Sequence, residues 1–450
     1  MDDELLSKFT KISIVAIIAY HAALAVLYGG YPSGIYPDEY WFIGNGLHLV
    51  GVEVPQGIET VAEKEIVLAL FLGSLYRLFG FPLFLYISFL WNILVMLILI
   101  ISGYLVGRQF FGKEVGLLAA LLFGINWFIG WFGQRLVAEV GMIAFGLFGL
   151  ALYGIWLNKR KAIYLVTSGI AFALSMWTRT SAYFVLLPMI IFILAELLKE
   201  SRGISQLARN LGLIAAGFII LLFPFMWISY IGFGNPLASL IMRGSYGLGV
   251  LFKGFSIFYM TILLYALGLV SPLFFIGLTI LIKKRKLLFP LWSLFPILIY
   301  MMVAWAYRVD YYVVECLPIA LFVTAPGLNW LIKECINRFG RVGLLLPAVL
   351  MLSTNLSFYR KGSLIVFLHE RLQLLPNKYE QIPELVQLTR SGEAEWWFAK
   401  LFYKSHGLDF NLLTSTALIL AALLILLTGY IKYGKFFRNA ASKLKKSLWK

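Results

Sequence analysis

Three stretches of this chain, Ile12 to Tyr28, Phe84 to Val106 and Leu413 to Ile431, are apolar almost without interruption. Each approaches or exceeds the roughly 17 to 25 apolar residues that cross the hydrocarbon core of a bilayer. No water is present there to satisfy backbone N–H and C=O groups, so a spanning run must close its own hydrogen bonds, and runs of this length do so as α-helices. Of 450 residues, 61% are hydrophobic and 13% charged, against about 25% charged in soluble domains. The expected fold is therefore all-α and polytopic.

A net charge of +16 would suit nucleic acid only if the bases formed one soluble patch. Instead they fall in short clusters between apolar runs: Arg108 with Lys113, Lys159 to Lys161, Lys199 with Arg202 and Arg209, Lys283 to Lys286, Lys333 with Arg338 and Arg341, and the tail from Lys432 to Lys450. The positive-inside rule accounts for this pattern. With Lys8 and Lys11 these segments hold 24 of the 38 Lys and Arg residues, so they and both termini are expected in the cytoplasm, with no nucleic-acid partner.

About twelve spans follow, at residues 12–29, 81–107, 115–131, 139–157, 162–177, 182–198, 211–232, 255–282, 287–305, 311–331, 342–357 and 413–432. The chain reads as one transmembrane domain over residues 1–450, with a first outer loop at 30–80, a second at 358–412 and a basic cytoplasmic tail at 433–450. Asp2, Asp3 and Glu4 precede the first span without a clear small-residue cleavage site, so a retained anchor is expected rather than a cleaved signal. Cys316 and Cys335 are expected to be ordinary thiols.

The first outer loop runs against the charge of the whole. Between Gly34 and Glu65 stand Asp38, Glu39, Glu53, Glu59, Glu63 and Glu65 against Lys64 alone. Its second part, Ile66 to Gly80, is too short to span and carries Arg77, which suits a helix lying in the membrane interface. Asp38 and Glu39 could cap a short helix beginning near Tyr40, where carboxylates favour the positive end of the dipole. They also stand among Tyr36, Pro37, Tyr40 and Trp41, at the depth where a lipid headgroup presents its reactive atoms, and an ionised carboxylate there could take a proton from an acceptor hydroxyl.

Arg135 and Glu139 are four apart at the start of the expected fourth span, on one helical face; the pair is either a helix-end ion pair or, as ionisable residues at membrane depth, part of a site. Arg179 and Arg308 stand at outer ends of spans, where each could snorkel to lipid phosphate. Together with Lys64, such cations facing an acidic loop would suit a phosphate leaving group. His21, His48, His369 and His406 show no metal-site spacing, and "GFGNP" at Gly232 to Pro236 suits a turn. A divalent metal on Glu39, Glu63 and Glu139 is compatible with oxygen ligands, although Lys64 could supply the charge instead. A flippase or transporter for lipid-linked sugars is the alternative class, with Pro188, Pro224, Pro272 and Pro296 as candidate kinks.

The acidic pair after the first span, Glu63-Lys64 leading into "IVLALFLGSLYRLFG", then "GQRLVAEVGMIAFGLFGLALYGIW", "GIAFALSMWTRTSAYFVLLP" and "YRVDYYVVECLPIALFV", resemble in order the GT-C membrane glycosyltransferases. The nearest branch is that of protein O-mannosyltransferases and aminoarabinose transferases. The resemblance implies transfer of a hexose or pentose from a polyprenyl- or dolichyl-phosphate donor to a protein, lipid or glycan acceptor on the outer face. It assigns catalysis to Asp38, with Glu39 beside it, and to Glu139, and donor phosphate to Lys64, with Arg179 and Arg308 as further basic positions; Arg135, from its place at the start of the fourth span, is a further donor-phosphate candidate. Family members often follow the lysine with two prolines, where Glu65 and Ile66 stand here.

Overall fold

Packing is densest along two long helices that share the middle of the bundle, α7 (Ala138–Lys159) and α15 (Tyr312–Phe339); their apolar windows are 83% and 89% buried. In this computed structural model, residues 12–23, 37–54, 66–80, 87–133, 136–201, 203–237, 258–302 and 312–354 are described. The chain divides between Glu395 and Trp396, and every described residue belongs to the first unit. The second outer loop, the expected twelfth span and the basic tail lie outside the described residues.

Before α7 come α1 (Ile12–Ala23), α2 (Pro37–Leu49), α3 (Ile66–Phe79), α4 (Leu90–Phe111), α5 (Lys113–Ile125) and α6 (Trp127–Gly133). After it come α8 (Ala162–Thr178), α9 (Ala182–Val185), α10 (Leu187–Glu200), α11 (Ile204–Phe233), α12 (Phe258–Leu267), α13 (Ser271–Lys283) and α14 (Leu288–Met302), then α15 and α16 (Leu345–Ser353). Two short 3-10 turns, Gly268–Val270 and Gly340–Leu344, complete the set, and there is no strand among the described residues. The chain is an all-α membrane protein. Four helices (α4, α7, α11 and α15) are long and apolar enough to cross a bilayer by length and composition. The first eleven expected spans each contain helix.

Neighbouring helices follow one another across the bundle as α11, α8, α7, α4, α5, α15 and α13. At the edge, α11 is only 11% buried over its apolar window. It approaches α8 closely at paired glycines: a Cβ on Gly169 would lie 2.0 Å from the Ile214 carbonyl, and one on Gly217 1.9 Å from that of Val166. Lipid supplies no hydrophobic drive between helices, so backbone-level contact of this kind is what associates them.

The spans are less continuous than the apolar runs suggest. The third breaks at Asn126, whose side-chain oxygen accepts from the N–H groups of Phe128 (3.0 Å) and Ile129 (3.1 Å) and so caps α6. Its amide nitrogen donates to the Ala266 carbonyl at 2.9 Å. The sixth breaks at Leu186, with Pro188 at the start of α10; Pro272 likewise sits at the start of α13, just past Gly268 at φ 59°. Pro224 and Pro296 lie inside α11 and α14. At the end of α11, Gly234 adopts φ 70° as a left-handed cap and Ser229 donates to the Asn235 carbonyl at 2.8 Å, so "GFGNP" is a turn.

Charge separates by helix end. Arg160 at the end of α7 pairs with Glu200 at the end of α10, and Asn158 donates to Gln109 of α4 at 2.5 Å. Lys333 near the end of α15 lies 2.9 Å from Glu114 at the start of α5. These exposed pairs are worth at most about 1 kcal/mol each, but they show that the basic ends of several helices meet on one side.

Candidate functional site

At the opposite ends of the same helices the chain buries charge. α8 ends at Thr178, and Arg179 follows in extended conformation (φ −161°, ψ 134°), turning its side chain inward. The side chain is 0% exposed. Its Nη1 lies 2.7 Å from Oε1 of Glu139 in the first turn of α7, and its Nε donates to Oε1 of Glu315 in the first turn of α15 at 2.7 Å. Ser181, just before α9, donates to the same Glu315 oxygen at 2.8 Å, and the Tyr300 hydroxyl at the end of α14 donates to Oε2. The guanidinium lies 5.3 Å from the Tyr312 ring, which stacks on Tyr300 at 5.1 Å; Tyr259 of α12 lies 5.4 Å from Tyr300.

One planar cation thus bridges two carboxylates, an arrangement for which the rigid guanidinium fork is preorganised and a rotatable ammonium is not. Removing three charges from water costs several kcal/mol per ion. The cluster persists because its charges are paired, with donors from the residue after α8, from α14 and from the turn before α9 converging on Glu315.

The first outer loop meets this end through α3. Ile66 packs with Trp177, two residues before Arg179, and with Phe225 of α11. The sequence-expected helix from Ile66 forms, and it carries α2 beside it. A Cβ on Gly46 would lie 2.8 Å from the Ala69 carbonyl, Val50 reaches Gly73, and Arg77 donates to the Val50 carbonyl. Later residues of α2 thus face later residues of α3, and the two helices run in the same direction. Counting back from Gly46 and Gly73 at about 1.5 Å per residue, Asp38 and Ile66 fall at similar heights, at the same end of the pair.

Several expectations change. The helix after the first span begins at Pro37 rather than near Tyr40, so Asp38 and Glu39 belong to its first turn, with proline at its start. The helix expected to carry Arg135 and Glu139 together begins only at Ala138, after the extended Val137 (φ −122°, ψ 149°). Glu139 instead meets Arg179, 40 positions further along the chain. Arg179 does not snorkel, since it is wholly buried. Glu63, Lys64, Arg135 and Arg308 lie outside the described residues, as do the side chains of Asp38 and Glu39. No group of three or more His, Cys, Asp or Glu that could hold a metal occurs among the described residues. Of the three carboxylates weighed for one, Glu139 is engaged by Arg179. Cys316 and Cys335 are free and buried.

Glu315, Tyr300 and Ser181 were not singled out in the sequence. Glu315 could have been: an acid with apolar residues on both sides in "YVVECLPIALFV" is expensive unless partnered.

No protein-family model matches the sequence, and no curated protein matches it either. Among solved structures, the chain is similar to ArnT from Cupriavidus metallidurans bound to undecaprenyl phosphate, with a TM-score of 0.57 and 11% identity over 93% of this chain and 77% of that one. The apo state of the same protein gives 0.56 and 14% over 90% and 76%. A weaker likeness is to the oligosaccharyltransferase AglB from Archaeoglobus fulgidus, at 0.47 and 13% over 84% and 60%. The chain thus has the fold of ArnT, an aminoarabinose transferase, and the GT-C resemblance read from its motifs holds at the level of fold.

Proposed function

We propose that this protein is a GT-C-type membrane glycosyltransferase that moves a hexose or pentose from a polyprenyl- or dolichyl-phosphate donor to a protein, lipid or glycan acceptor at the outer face of the cell membrane. The observation that carries the proposal is the buried Glu139–Arg179–Glu315 assembly, built at the helix ends opposite the basic ones. A charged cluster shielded from water at one end of an apolar bundle is costly, and such groups mark functional sites. The likeness in fold to a protein crystallised with undecaprenyl phosphate supports the choice of donor class.

In the proposed step, Asp38 takes the proton of the acceptor hydroxyl as its oxygen bonds to the anomeric carbon. The bond from that carbon to the phosphate oxygen breaks, and polyprenyl phosphate leaves with the electron pair. Glu39 assists Asp38, and Glu139 borders the donor sugar. Lys64, Arg135 and Arg308 take the phosphate charge as it develops. Arg179 contributes by holding carboxylates, since two of its nitrogens already face them. α3 lies in the membrane interface, and the basic helix ends and both termini face the cytoplasm. A divalent metal, if used, would be held by Glu39 and Glu63 with Glu139 near.

A single displacement inverts the anomeric centre. NMR of the product is expected to show inversion, and retention would rule out direct attack by the acceptor. The broader test is transfer of labelled sugar from a polyprenyl-phosphate donor to a membrane-extract acceptor pool by purified protein in lipid, lost in Asp38→Asn.

A further inference from the structure

We infer that Glu315 is a positioning residue for sugar transfer, acting through Arg179 to fix the carboxylate of Glu139, with Tyr300 holding Glu315 in turn. The inference rests on the glycosyltransferase proposal and adds to it residues that neither the motifs nor the fold likeness assigned.

The geometry runs in one direction. Glu315 is 0% exposed and accepts from Arg179 Nε, Ser181 Oγ and the Tyr300 hydroxyl, so both of its oxygens are tied to other elements. Those ties fix one edge of the Arg179 guanidinium, and Tyr312 packs over its face. A planar group held by one edge and one face has little freedom of orientation left, and as held its Nη1 lies 2.7 Å from Glu139 Oε1. Glu139 stands in the first turn of α7, two residues after the extended Val137, where its own helix constrains it least.

Stability does not explain the arrangement, since well-packed apolar residues of similar volume serve a buried site at least as well as an ion pair does. What the assembly supplies is a fixed direction for Glu139. Misplacement of a group at a reacting centre by about 1 Å can cost on the order of a hundredfold in rate.

The test is a double-mutant cycle on turnover. Wild type, Glu315→Gln, Glu139→Gln and the double variant would be purified in lipid and given tritium-labelled undecaprenyl- and dolichyl-phosphate hexoses and pentoses together with a membrane-extract acceptor pool. Turnover at saturating donor and KM would both be measured. Glu315→Gln is expected to lower turnover by about tenfold to a hundredfold, with KM changed by less than about threefold. In the Glu139→Gln background it should cost nothing further, because Glu315 acts only through the Glu139 carboxylate that this variant has already lost. Tyr300→Phe removes one hydroxyl without leaving a charge exposed and should shift turnover in the same sense by less, which keeps the test open if Glu315→Gln does not fold. Losses that multiply in the double variant, or wild-type turnover in Glu315→Gln or Tyr300→Phe, overturn the role of Glu315 while leaving the transferase proposal intact. A wild type that releases sugar from none of these donors overturns the transferase proposal and this inference with it.

Discussion

Arg179 is the residue on which the buried charges depend. Truncation to alanine leaves Glu139 and Glu315 facing each other's charge without a cation between them, and unpairing a buried ion typically costs about 3 to 5 kcal/mol. Arg179→Ala is expected to lower the unfolding midpoint sharply in thermal melts in detergent; an unchanged midpoint would mean that the carboxylates are not held by this arginine. The combined variant Glu139→Leu, Arg179→Met, Glu315→Leu separates fold from function. It should melt close to wild type, since no charge is left unpaired, and should transfer no sugar. Of this cluster, Glu139 and Arg179 were legible in the sequence because each is an ionisable residue at a span end. Glu315 is conspicuous as an acid in an apolar run, but its pairing is not legible, because Ser181 and Arg179 lie 134 and 136 positions away and no local spacing connects them. The Arg135–Glu139 pairing misled for a local reason: it assumed helix through Val137, which is extended.

At the scale of elements, apolar run length located the helices well, because a segment without water has no other way to satisfy its backbone. The interruptions were less visible. Asn126 breaks the third run by capping α6 and binding the Ala266 carbonyl, 140 positions away. Loss of such a cap costs about 1 to 2 kcal/mol, so Asn126→Ala should reduce the melting midpoint modestly. The pairing of α2 with α3 depends on Gly46, where any side chain meets the Ala69 carbonyl. Gly46→Val should cost about 1 to 3 kcal/mol by overpacking and, by moving the helix that starts with Asp38, should lower sugar transfer as well. Transfer at the wild-type rate in a Gly46→Val protein would argue that the position of α2 does not matter to the reaction.

For the molecule as a whole, the distribution of charge was readable from the sequence because it obeys a rule about membranes rather than about packing. The described helices place Arg160, Lys333 and their acidic partners at one end and the buried cluster at the other. Orientation in the membrane follows as a proposal that cysteine accessibility tests, since Cys316 and Cys335 are buried. With the exposed residue Glu53 changed to cysteine, an impermeant maleimide should label intact cells; with exposed Lys284 changed instead, labelling should require permeabilised membranes. The reverse pattern would put the proposed site in the cytoplasm. The likeness in fold to ArnT at 11% identity carries the architecture but not the sugar or the acceptor, so chemistry has to be measured on this chain. The most direct measurement compares wild type with Asp38→Asn in lipid, following the breakdown of radiolabelled polyprenyl-phosphate sugars in the presence of a membrane-extract acceptor pool. Sugar transfer by wild type, reduced by about a hundredfold or more in a folded Asp38→Asn protein that still binds donor, is the predicted result. Intact lipid-linked sugar moved across the bilayer by both proteins, with the sugar bond unbroken, would contradict it and identify a flippase instead.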